Sequence, residues 1–189
     1  MEETKYTVEE VAPEIDDFLG AVLDAADLDV EYEVVEGSHT HPDFENPEVV
    51  VKFSGEDVDM LLANRAELLL ALEHVTMEVL DLPPEDHSRI CFDANDYRVM
   101  RIEELRLSAI TAAEQVKATH RPFRFNPMTS RERRIIHLAL RGEREVRSES
   151  YGVGPGRQVV IYPADMPSAP PGAAFSPAPP RGMRRGRRR

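Results

Sequence analysis

Charge is laid out along this chain in two opposed halves. Residues 1–96 hold 27 acidic and 4 basic side chains, a net of −23, whereas residues 97–189 hold 8 acidic and 19 basic ones, a net of +11. The overall charge of −12 conceals this division. Carboxylates at that density have to stay solvated, so the first half can bury apolar residues only as one face of amphipathic elements. The second half is the part suited to a polyanion or an anionic surface. With 41% hydrophobic residues in 189 and no tryptophan, the chain has material for two modest aliphatic cores rather than one large one.

Apolar periodicity predicts the elements. Val8, Val11, Ile15, Phe18, Leu19 and Val22 recur at three- and four-residue steps, which reads as a helix over 8–28. Strands are expected over 30–35 and 48–53, joined by a long loop of turn formers. A helical region follows over 57–80, and periodicity leaves open whether it is one helix or two with a break near Ala63 to Ala66. Pro83 and Pro84 end it, and residues 88–93 alternate as a half-buried strand. The helix expected over 97–119 buries Ile102, Leu105, Ala109, Ala112 and Val116 and shows Arg98, Arg101 and Arg106 elsewhere. Beyond it come a short strand over 122–125, an Asn126-Pro127 turn and a capping box of Thr129 with Glu132 that opens a further helix. Strands over 145–150 and 158–162 flank a glycine-rich turn. From Pro163 the composition shifts to Pro, Ala, Ser and Gly and ends in RGMRRGRRR, so residues 164–189 are expected to form a disordered cationic tail.

Several chemistries find no foothold. A single cysteine, Cys91, excludes an intramolecular disulfide and a Cys-rich zinc site and fits a reducing compartment, so a cytoplasmic location is expected. No apolar run approaches the ~18 residues of a membrane span, and the acidic start lacks a signal-peptide pattern. No membrane insertion is expected. His39, His41, Asp43 and Glu45 gather nitrogen and oxygen donors in a loop without a second fixed pair of ligands. Asp16, Asp17, Asp57 and Asp59 read as solvated acidic faces, Cys91 has no base beside it, and GVGPG lacks the strand-to-helix context of a phosphate loop. The expectation is a non-enzyme with no cofactor and no metal.

The most informative local run is RERRIIH. On a helix, Arg133, His137 and Arg141 fall along one stripe with Arg134 beside it, and Ile135, Ile136 and Ala139 face the other way. Planar guanidiniums that keep their charge when partly desolvated suit phosphate oxygens. The bland alternative is a solvated face neutralised by Glu132 and Glu143.

The Arg-x-x-x-His pattern, preceded by FNPMT and followed by VRSESYGVGPGRQVVIYP, resembles the R-three-H domain of the bacterial Jag family of RNA-binding proteins. In that family the domain follows a KH domain of the type II order α-β-β-α-α-β, and residues 8–118 can be read that way with one more helix. The resemblance implies a mixed α/β (α+β) fold: a KH-like domain over 1–118, an R-three-H domain over 119–163 and the tail over 164–189. It makes Arg133 and His137 the signature pair, joined by Arg134 and Arg141 and extended along the strands by Arg147, Ser148 and Arg157. The KH clamp should present GxxG, yet the matching positions read Ala63, Asn64, Arg65 and Ala66, where alanine restricts positive φ and adds a methyl group. A spacer or protein-docking role is therefore expected of the acidic KH-like half. Family members often begin with a separate basic module, and roles resting on it are not carried over. The function expected is binding of single-stranded RNA, with single-stranded DNA second, in post-transcriptional regulation; the rival is an adaptor whose acidic half docks on a protein.

Overall fold

The computed structural model describes residues 5–37 and 44–168. His39, His41 and Asp43 of the loop cluster and residues 169–189 of the tail lie outside them.

Helix α1 (Val8–Ala26) starts at a capping box in which Glu10 accepts from the Thr7 backbone N–H, and it ends where Asp27 turns left-handed at φ 53°. Its buried stripe is Val11, Ile15, Leu19 and Leu23. Strand β1 (Glu31–Glu36) pairs antiparallel with β2 (Val49–Ser54), and β3 (Ile90–Ala94) adds in parallel to β2, giving the order β1-β2-β3. Between β2 and β3 runs α2 (Val58–Val79), whose backbone leaves helical geometry over Ala63 to Ala66. The open question of one helix or two is answered by that break. Val49, Val51, Phe53, Ile90 and Phe92 from the sheet close a core with α1 and both segments of α2.

Helix α3 (Tyr97–Thr119) has the bounds its periodicity predicts, but it serves the other core. Ile102, Leu105, Ala109, Ala112, Ala113 and Val116 pack with Ile135, Ile136 and Leu140 and with Val146, Val159 and Ile161. The expected division at 118/119 therefore falls at the end of a helix whose apolar face already belongs to the second module. A fragment beginning at 120 would lose one wall of its core. The second module continues with β4 (Phe123–Arg124), α4 (Ser130–Ala139), β5 (Val146–Tyr151) and β6 (Gln158–Pro163) in an antiparallel sheet of order β4-β6-β5. Gly152 turns the chain from β5 at φ 93°, where a Cβ would come within 3.1 Å of the Gly156 carbonyl oxygen. The first residues of the segment expected to be a disordered tail are held instead: the Ala164 N–H donates to Glu145 O at 2.9 Å and Arg147 Nη2 to Met166 O at 2.6 Å.

The modules meet around Glu73, which is buried on α2. Its carboxylate accepts from the Phe92 N–H at 2.8 Å, from Arg98 Nη1 at 3.1 Å and from Arg131 Nη1 at 3.1 Å. Burial pushes the Glu73 carboxyl above its ordinary value, with Arg98 pulling the other way. Arg98, expected on an exposed face, is instead buried between Glu73 and Glu45. A guanidinium can leave water there because carboxylates and the Phe92 carbonyl take its protons.

Candidate nucleic-acid interface

Helix α4 is set at a fixed angle by its first turn. Thr129 caps it, Glu132 reaches back to the Thr129 N–H at 2.9 Å, and the other oxygen of Glu132 accepts from Arg101 Nε and Nη2 at 2.8 and 2.6 Å. Glu143 pairs with Lys117 at 2.7 Å. Both carboxylates that could have neutralised the basic stripe are thus committed to α3.

With Ile135 and Ile136 buried, Arg133 and His137 flank β5. Alternation along β5 sends Val146, Ser148 and Ser150 to that side and Arg147, Glu149 and Tyr151 to the other. Arg133 Nη1 donates to Ser150 Oγ at 3.0 Å, and His137 lies 3.0 Å from Ser150 Oγ through Nε2 and 2.7 Å from Ser148 Oγ through Nδ1. Because an arginine only donates, Ser150 accepts from Arg133, and each ring nitrogen of His137 is occupied by a serine hydroxyl. The basic stripe is half-buried at Arg133 and His137, while Arg134 and Arg141 are exposed.

The electrostatics of this corner are uncompensated. Burial, and then Arg157, hold the Arg133 guanidinium below its ordinary value. Burial, and then Arg133, do the same to the His137 imidazole. Arg133 Nε is buried with no hydrogen-bond partner, and among the described residues Arg133, Arg134, Arg141 and Arg157 form no ion pair. A cation partly withdrawn from water, backed by a second cation and offered no carboxylate, favours an anion at the surface.

The remaining candidates divide. Ser148 joins the pair and Arg157 lies within its field, but Arg147 projects from the opposite face of the sheet. It is engaged by Glu149, by Met166 O and by the Tyr162 ring, 4.7 Å from the guanidinium carbon. Ser150 escapes the sequence reading, although its two-residue spacing from Ser148 already puts both hydroxyls on one face. The turn at Ala63 to Ala66 holds a surprise. Asn64, Arg65 and Ala66 are all left-handed, at φ 52°, 65° and 59°, so the backbone takes a glycine-like course without glycine. That conformation costs about 1–2 kcal/mol for an L-residue. It persists because Ala66 is fully buried in the core and the Tyr97 hydroxyl donates to Arg65 O at 3.0 Å. Exposed Arg65 borders a cleft whose far wall is Asn126, Pro127 and Met128, and the Met128 N–H donates to Arg157 O at 3.1 Å. Cys91 is buried, which pushes its thiol up and leaves it inert.

Fold and signature together define the second module as an R-three-H domain: residues 103–163 match the family model of that domain. The match begins inside α3, as the packing of that helix requires. Over 161 residues the chain is 34% identical to RNA-binding protein KhpB of Clostridium symbiosum, covering 83% of this chain and 67% of that one. Over 110 residues it is 36% identical to RNA-binding protein KhpB of Bacillus subtilis (strain 168), covering 57% and 53%. Over 159 residues it is 26% identical to RNA-binding protein KhpB of Streptococcus pneumoniae serotype 2 (strain D39 / NCTC 7466), covering 84% and 46%. The chain belongs to the KhpB (Jag) family, and it spans about two thirds of the length of the first of these relatives and about half of the second and third.

Proposed function

We propose that this protein binds single-stranded RNA, as a non-enzymatic post-transcriptional regulator in the cytoplasm, and that the contact is made by α4 and β5. The observation that carries the reading is Arg133: half-buried, without a carboxylate partner among the described residues, and with Nε unsatisfied beside Arg157. A phosphate oxygen supplies both the missing charge and the missing acceptor. Arg133 would hold it, the Ser148 hydroxyl, oriented by His137, would donate to a neighbouring phosphate or sugar oxygen, and Arg134, Arg141 and Arg157 would carry the backbone onward. Contacts of this kind recognise sugar and phosphate and discriminate little among bases. The relatives' names point to RNA, and single-stranded DNA is the comparison ligand.

Within the same reading the KH-like half contributes shape more than charge, since residues 1–96 carry −23. Among the described residues no helix is long and apolar enough to cross a membrane. The test is fluorescence anisotropy of a labelled single-stranded oligoribonucleotide with the whole chain and with Arg133→Ala and His137→Ala. Both variants are expected to weaken binding while keeping native circular dichroism. Unchanged affinity in the folded double variant would overturn the assignment.

A further inference from the structure

A second cluster of chemically capable side chains lies on the KH-like module, away from α4 and β5. His74 and Glu78 are four residues apart on α2 and so share one face of the helix. His87 comes from the loop that leads into β3. One ring nitrogen from each histidine and a carboxylate oxygen of Glu78 lie within 4.8 Å of one another. The two rings face each other obliquely, with centroids 6.3 Å apart and planes at 60°. Neither imidazole is used by the interface described above.

The His87 ring is already arranged as a ligand. Its Nε2 lies 3.0 Å from Leu82 O, and a carbonyl can only accept, so the proton sits on Nε2 and the lone pair on Nδ1. Donation of the second ring nitrogen to a backbone carbonyl is the usual support of a metal-bound histidine, because it fixes both tautomer and ring orientation. The loop carrying His87 is itself held: the Asp86 N–H donates to Pro83 O at 2.8 Å, and the Asp86 side chain accepts from the Tyr6 hydroxyl at 2.9 Å and from Arg89 Nε at 3.0 Å. His74 and Glu78 are exposed and free to turn toward it.

We propose that His74, Glu78 and His87 form a binding site for a borderline divalent transition metal, zinc in the first instance. Two imidazoles and one carboxylate suit Zn2+, with water in the fourth position, and disfavour Mg2+ and Ca2+, which take oxygen ligands. Tetrahedral zinc with bonds of about 2.0–2.1 Å draws its ligand atoms to about 3.3 Å from one another, an inward movement that two exposed side chains on a helix can supply. The bound ion would staple the loop to α2. His87 O also accepts from Arg131 Nη2 at 3.3 Å, so the staple would stiffen the joint between the modules.

The experiment uses the full chain, stripped with chelator and titrated with Zn2+ against a chromogenic competitor, with Co2+ absorption as a report of coordination geometry. His39→Ala/His41→Ala is the reference background, because those two imidazoles are the other paired histidines in the sequence. One Zn2+ per chain is expected in that background, undiminished by excess Mg2+, and it should raise the melting temperature. His74→Ala and His87→Ala should each weaken binding at least tenfold and abolish the thermal shift, and Glu78→Gln should alter the Co2+ spectrum. His74 is exposed, so His74→Ala tests the site even where His87→Ala disturbs the loop. Zinc binding that survives both histidine variants, or that vanishes in the His39→Ala/His41→Ala background, would overturn the proposal.

Discussion

The joint around Glu73 and the helix face around Arg133 are both made of arginines drawn partly out of water, and they dispose of the charge in opposite ways. At the joint, Arg98 and Arg131 reach into an acidic module and find Glu73 and Glu45, so the cations are spent inside the protein. On α4, Arg133 meets the Ser150 hydroxyl and lies near a histidine that burial, and then Arg133, hold below its ordinary value. Basic residues near carboxylates build architecture, and basic residues near neutral donors remain available. Net charge, which counts Arg98 and Arg133 alike, does not separate the two.

The largest effect is expected at the joint. Glu73→Ala takes one of their two carboxylate partners from Arg98 and Arg131 and leaves the Phe92 N–H without its acceptor, so it should lower the unfolding free energy by about 3–5 kcal/mol, read from urea denaturation. A loss under about 1 kcal/mol would mean that Arg98 and Arg131 are as uncommitted as Arg133, and the contrast would fail. Next comes Arg133→Ala, which should cost about 1.5–3 kcal/mol in oligoribonucleotide affinity, the worth of a charge-assisted hydrogen bond, while the melting temperature barely moves. A variant that unfolds instead would show Arg133 to be architectural.

A third expectation concerns pH. The His137 imidazole is held below its ordinary value of 6.5, so it is neutral near pH 7. A phosphate at the site favours the protonated ring, and linkage then requires affinity to rise as pH falls below about 6.5, approaching about tenfold for each unit by which binding raises the pKa. His137→Ala should flatten that rise. For the free protein the sign is reversed. The folded pKa lies below the unfolded one, so the unfolded chain takes the proton first and stability falls as pH drops through the same window. A pH-independent affinity in the wild type would show that His137 does not face the ligand. The smallest effect tests the turn of the acidic module: Arg65→Gly relieves a left-handed residue at some cost in chain entropy, for a net gain of about 0.5–1 kcal/mol in thermal or urea unfolding. A destabilised Arg65→Gly would mean that the Arg65 side chain, and not its backbone, holds the turn.

Local pattern made much of this molecule legible. The bounds of α3, the capping box at Thr129, the alternation of β5 and the stripe that carries Arg133 and His137 all follow from spacings of two to four residues, because such spacings are set by the backbone itself. The choice between one helix and two at Ala63 to Ala66 was not legible, since apolar periodicity continues through the break. Nor was the burial of Arg98, whose partner Glu45 is 53 positions away.

What the sequence by itself determined is therefore the set of elements and the polarity of each face, while its resemblance to a family singled out Arg133 and His137. The tertiary structure decided which arginines are spent and which remain free, which core α3 completes, and that Arg147 and Ser148, adjacent in sequence, look out from opposite sides of one strand toward different neighbours. The physical reason is range. Periodicity reports how a residue sits on its own element, whereas the charge state and accessibility of a guanidinium depend on what the rest of the chain brings within a few ångströms of it.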